Sequence, residues 1–187
     1  MRFWGNLVGY QLVWLVTVIG AGRGLWWPAV AAAVVFATWQ LSLSRQRWRE
    51  LRLVGAGLLA GLVIDGGLAA SGLLRYEAAA IALPVGGAPL WILALWSAFA
   101  LTLTQSLRWL QHRPWLAAAF GAIGGPLAYL GAARGFGALA FVAPGWIAMV
   151  ALAFGWALAL PLLMRLAAGA PQGVESTTAA ALQGSAK

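Results

Sequence analysis

Long apolar runs, separated by short basic or glycine-rich breaks, set the pattern of this chain. Six runs, Phe3–Gly22, Leu25–Ser44, Leu53–Leu74, Leu90–Gln111, Pro114–Ala133 and Gly145–Leu166, each match the roughly 17–25 residues of a membrane-crossing helix. Backbone polar groups in hydrocarbon must be satisfied internally, so each run is predicted to be helical. The connections are short and evenly spaced. They predict antiparallel neighbours in one all-α, six-helix polytopic membrane bundle over residues 1–167. The longest connection, Arg75–Pro89 (RYEAAAIALPVGGAP), is apolar for a loop and either lies on the outer interface or re-enters the bundle. The last segment, 168–187, is rich in Ala, Gly, Ser, Thr and Gln and is expected to be a disordered cytoplasmic tail.

Composition strengthens this picture. The chain has 187 residues, 63% apolar and 9% charged, against roughly 25% charged in soluble domains. Its net charge of +8 would suit a nucleic-acid partner only if the basic residues clustered on one face. They lie between the apolar runs instead. With the N-terminus placed in the cytoplasm, Arg2, Arg45, Arg47, Arg49, Arg52, Arg108, Arg113, Arg165 and Lys187 fall inside, and Arg23, Arg75 and Arg134 fall outside. That bias predicts both termini in the cytoplasm. Arg45–Arg52 is the strongest topology signal and a candidate contact for anionic lipid. Most of the twelve tryptophans, among them Trp4, Trp26, Trp27, Trp48, Trp91, Trp109, Trp115 and Trp146, lie near predicted helix ends, where indoles favour the interface. Trp14 and Trp156 fall mid-span, either as packed or lipid-facing bulk or as the lining of a pocket for an apolar ligand.

The candidate chemistry is sparse. No cysteine is present, which removes disulfides, thiolate zinc sites and iron–sulfur clusters. The single histidine, His112, cannot build a zinc site, so no metal or other cofactor is expected. Neither a Gly-x-Ser-x-Gly elbow nor a phosphate-cradling glycine loop occurs, and no catalytic residue can be named. The exception is Asp65, alone in LVGAGLLAGLVIDGGLAASGLL. An acid inside a span normally faces a partner or a cavity and marks a candidate site. At about 1.5 Å per residue, Asp65 lies roughly 18 Å from the inner end of its predicted helix, near the membrane centre. Thr102 lies at a similar depth. Gln11, Gln40 and Gln105 lie below, and Asn6 and Thr104 nearer the cytoplasm, so together they could form a polar seam leading up to Asp65. Arg23, Arg75 and Arg134 are candidate cation partners, since long stems can reach inward. The alternative is a structural Asp65 hydrogen-bonded to a neighbouring helix. Gly57 and Gly61, and Gly121, Gly124 and Gly125, allow close helix approach. Pro126 is read as a helix break that frees a carbonyl.

Several segments carry a resemblance. They are FWGN leading to QLVW at residues 3–14, PLW at 89–91 leading to WSAFALTL at 96–103, SLRWL at 106–110, and GAIGGPLAY at 121–129. Together they resemble an uncharacterised family of small bacterial inner-membrane proteins, known only as a domain of unknown function. The resemblance implies an integral inner-membrane protein often encoded beside enzymes that modify unsaturated or cyclopropane fatty acyl chains. Membrane lipids, and fatty-acyl-modifying enzymes, are then the expected partners. It supplies no catalytic residues. Three functions follow as expectations: a non-catalytic accessory or lipid-binding protein linked to lipid modification or envelope stress, a proton-linked transporter using Asp65, or an intramembrane lipid-modifying enzyme.

Overall fold

The computed structural model describes residues 2–142 and 144–169. Six α-helices account for most of them: α1 Arg2–Gly22, α2 Trp27–Leu43, α3 Arg47–Ala70, α4 Leu90–Ala100, α5 Pro114–Phe136 and α6 Gly145–Ala168. Four of these, α1, α3, α5 and α6, are long and apolar enough to cross a membrane. α2 and α4, at 17 and 11 residues, are apolar but shorter. The tail expected from 168 onward lies outside the described residues beyond Gly169.

The helices alternate in direction, and their ends gather into two faces. At one face, Arg49 of α3 donates to the Ala167 carbonyl of α6, and Thr104 donates to Glu50 Oε1 at 2.8 Å. At the other, β1 (Leu74–Tyr76) pairs antiparallel with β4 (Leu139–Phe141), with Arg75 opposite Ala140. β2 (Ala82–Leu83) and β3 (Ala88–Pro89) form a small hairpin beside them. The connection after α3, expected as an interfacial or re-entrant loop in an all-α fold, is therefore strand-bearing. Its pairing partner, the α5–α6 connection, lies more than sixty residues away in sequence.

α4 departs most from the sequence reading. The apolar run predicts one helix to Gln111, but the helix ends at Ala100 and the chain continues as tight turns to a single 3-10 turn at Arg108–Leu110. The N–H groups of Leu101, Thr102 and Leu103 reach back only three residues, to Ala98, Phe99 and Ala100. The Thr102 hydroxyl also bonds the Phe99 carbonyl at 2.7 Å, the local competition with helix that threonine offers. Irregular backbone at this depth survives only where protein satisfies it. Asn6 of α1 does so: its amide donates to the Leu101 carbonyl at 3.1 Å, and its Oδ1 accepts from the Ser106 hydroxyl at 2.7 Å and N–H at 3.3 Å. Gln111 donates to the Leu103 carbonyl at 2.9 Å. Asn6→Ala is expected to cost about 2 kcal/mol, because it orphans buried groups on the turn segment. A lowered unfolding midpoint in detergent, with accelerated amide exchange confined to residues 101–110, checks this.

Pro126 does not break α5. It lies inside a helix that runs from Pro114 to Phe136. The ring removes only its own N–H bond to the carbonyl four residues back, and the flanking turns hold the helix. Two glycine stripes set the interior. Gly57 and Gly61 of α3 face α4: a Cβ on Gly57 would meet the Trp96 carbonyl and the Ala100 methyl at 3.0 Å, and one on Gly61 would strike the Trp96 indole. Gly121 and Gly125 of α5 receive the Trp156 backbone and indole of α6 in the same way. The absence of side chains at these four positions is what lets two tryptophans enter the bundle centre. The outward helix faces carry exposed apolar side chains such as Val35, Leu59, Val63, Ile123, Phe154 and Leu162.

Candidate functional site

Asp65 continues the stripe of Gly57 and Gly61, one helical turn further along α3 each time, and so points into the bundle. It is fully buried. Three neutral donors close on it. The Tyr76 hydroxyl of β1 and the Tyr129 hydroxyl of α5 donate to Oδ1 at 2.7 and 2.5 Å, and the Trp96 indole N–H of α4 donates to Oδ2 at 2.6 Å. Tyr129 continues the Gly121 and Gly125 stripe just as Asp65 continues its own. One carboxyl group thus ties α3 to α4, α5 and the β1–β4 sheet.

This corrects three expectations. The partners are not Arg23, Arg75 or Arg134: none of these arginines hydrogen-bonds Asp65, and Arg75 is exposed on β1 while its neighbour Tyr76 turns inward. The depth also changes. α3 starts at Arg47 and stops at Ala70, so Asp65 stands about 27 Å from the first residue and about 7.5 Å from the last, close to the β-capped face rather than at mid-helix. The polar seam, finally, divides. Asn6 and Thr104 serve the turn segment and Glu50, not Asp65.

In front of the Asp65 cluster lies a cavity of about 450 Å³ between α1, α4, α5 and α6. That falls within the roughly 300–1,000 Å³ of small-molecule sites. Asp65 does not line it. Two of its donors do: Trp96 and Tyr129 present their rings to the cavity and their polar atoms to the carboxyl group behind. Trp96 stacks on Trp156 with centroids 4.3 Å apart and planes 16° from parallel, and Phe99 meets Trp156 edge-on at 5.1 Å. Trp14, packed edge-on against Phe136 at 5.8 Å, lines the cavity as well. The two mid-span tryptophans therefore share one pocket. Trp91, expected at the interface, is instead buried in the cavity lining, its indole held by the Glu77 carbonyl at 2.8 Å. Of the predicted polar site, Gln11 and Thr102 reach the cavity, joined by Ser106; Gln105 does not.

Glu50 was missed by the sequence reading, which sees it as one letter in the arginine-rich RQRWRELR. It is only 6% exposed, its Oε1 accepts from Thr104, and its Oε2 has no partner among the described residues. Its place in the first turn of α3, an acid at a helix N-terminus, is the signal that could have found it. Arg45, Arg47 and Arg52 are exposed at that face, as is His112. Among the described residues no group of His, Asp and Glu could hold a metal.

Residues 3–162 match a family model described as Protein of unknown function (DUF2878). Neither the curated proteins nor the solved structures include a match.

Proposed function

The chain thus belongs to the DUF2878 family, whose description assigns no activity, and we propose that it is a non-catalytic membrane protein that holds the apolar chain of a lipid in the aromatic cavity. The observation that carries this reading is the cavity itself. It lies among the helices of a bundle whose outer faces are apolar, its lining runs from exposed Gln11, Phe120 and Leu127 to buried residues, and it is walled by Trp14, Trp91, Trp96, Phe99 and Trp156. Large aromatic walls offer broad apolar contact with little polar demand. Asp65 takes part indirectly, by fixing Trp96 and Tyr129 in the wall. The reading includes the six-pass topology with both ends in the cytoplasm. In support, Arg45, Arg47, Arg49, Arg52, Arg108, Arg113 and Arg165 lie toward the Glu50 face and Arg23, Arg75 and Arg134 toward the strand face. On this reading the positive-inside rule favours the Glu50 face as the cytoplasmic one, and the proposed membrane is the bacterial inner membrane. The short α2 and α4 fit within such a bundle because the turns after Ala100 extend α4's path while the protein satisfies their backbone. A tie to lipid-modifying enzymes is the natural setting for such a carrier or scaffold.

The test is photocrosslinking in membranes with a single-chain lipid bearing a diazirine near its chain terminus. Labelled peptides from α1, α4 and α5, over residues 7–18, 91–102 and 120–132, are the expected result. Labelling confined to outward residues such as Val35, Phe154 and Leu162 would rule the cavity out as a chain site.

A further inference from the structure

The wall of the cavity carries a second message, in what its polar groups are. Among the described residues no Asp, Glu, Lys, Arg or His side chain lines it. Its polar atoms belong to uncharged groups: those of Tyr10, Gln11, Thr102 and Ser106 lie on the first half of α1 and the turns after α4, toward the Glu50 face, and the buried Trp156 indole N–H has no partner among the described residues. The aromatic section lies on the strand side of them. Thr102 and Ser106 spend their hydroxyl protons on the Phe99 carbonyl and on Asn6, which leaves their oxygens as acceptors. Gln11 makes no side-chain hydrogen bond among the described residues and is exposed, so its amide offers both donors and an acceptor.

From this distribution we infer that the ligand is a single-chain lipid with an uncharged hydroxyl- or carbonyl-bearing head, such as a long-chain alcohol or a monoacylglycerol, seated head toward the Glu50 face and chain toward Trp91. The inference rests on the proposed chain site and adds the chemistry of the head. An ionised head drawn into this cavity meets no counter-charge, and a charge taken from water without a partner is strongly disfavoured. A neutral hydroxyl instead exchanges its water bonds for Gln11, Thr102 and Ser106 at little net cost. Gln11 is the specificity-setting residue: it shares that end with the Tyr10 hydroxyl, which also makes no hydrogen bond among the described residues, but it alone there carries an amide that is both donor and acceptor.

Competition against the diazirine lipid in vesicles of neutral phospholipid tests the head chemistry. The competitors are a monoacylglycerol, the fatty acid and the alkyl trimethylammonium of matched chain length. The monoacylglycerol is expected to displace the probe from the cavity peptides at least tenfold more effectively than either charged analogue. Equal displacement by the fatty acid or the ammonium, or displacement by none of the three, overturns the inference while cavity labelling still supports the chain site. Labelling outside the cavity peptides overturns the chain site itself. Gln11→Lys, a change at an exposed position of α1, is expected to raise the effectiveness of the fatty acid at least tenfold. No change with Gln11→Lys places the head elsewhere and refutes the assignment.

Discussion

Asp65→Ala is expected to lower stability by about 3 kcal/mol, since it leaves three buried donors without their acceptor at roughly 1 kcal/mol or more each. The donors come from α4, α5 and β1, so the loss strikes the junction of four elements rather than one contact. Interhelical hydrogen bonds in membranes are individually weak, on average about 0.6 kcal/mol, because the unfolded chain finds other partners. The prediction therefore rests on the orphaned groups being enclosed, with Asp65 itself fully buried. Tyr76→Phe and Tyr129→Phe, which each remove one donor and leave two, are expected to cost about 1 kcal/mol apiece. Asp65→Asn falls between: its amide supplies one accepting oxygen and turns an N–H₂ toward a remaining donor. Unfolding midpoints in detergent for the four variants check the order. An Asp65→Ala protein as stable as wild type would mean that the cluster does not hold the wall.

Gly124→Leu is expected to abolish lipid binding while leaving the fold intact. Gly124 lines the cavity, and a Cβ built there meets only the Phe120 ring, at 3.9 and 4.0 Å. A leucine side chain has room and occupies the volume the lipid would take. Leucine is also a better helix former than glycine by roughly 0.8 kcal/mol, so α5 gains rather than loses. Its neighbours behave oppositely. Gly121→Ala drives a methyl into the Trp156 backbone and Gly125→Ala into its indole, so both are expected to destabilise by about 1–3 kcal/mol. The three glycines lie within one turn and a quarter of the same helix, yet one borders a void and two border a neighbour. Comparing the three variants separates loss of ligand from loss of structure.

Much of the scaffold was readable from sequence because membrane helices announce themselves by length and apolarity. α1, α5 and α6 start or stop within a few residues of the predicted runs, and the arginine bias sorts to the two faces that the structure builds. The glycine spacing was also readable. Gly57, Gly61 and Asp65 are spaced four apart, as are Gly121, Gly125 and Tyr129, and that shared register already places the acid and the tyrosine on packed faces. What escaped depends on residues far apart in sequence. Nothing in Leu90–Gln111 forces a break after Ala100; the turns are held by Asn6, 95 residues away from Leu101. Hydropathy put the start of α3 after Arg52, whereas the helix begins at Arg47 with its arginine side chains free to reach water, and this moved Asp65 from mid-helix to the strand-capped end. The donors to Asp65 come from three separate elements, so composition could flag the acid but not its partners. An arginine partner was the reasonable inference from charge alone, and neutral aromatic donors took that place.

The most direct test is native mass spectrometry of wild type and Gly124→Leu released from the same bacterial membranes. The cavity account predicts that the wild-type protein carries one single-chain neutral lipid and that Gly124→Leu, equally folded by its unfolding midpoint, carries none. Equal lipid occupancy in the two proteins, or a wild-type protein that retains no lipid, would contradict it.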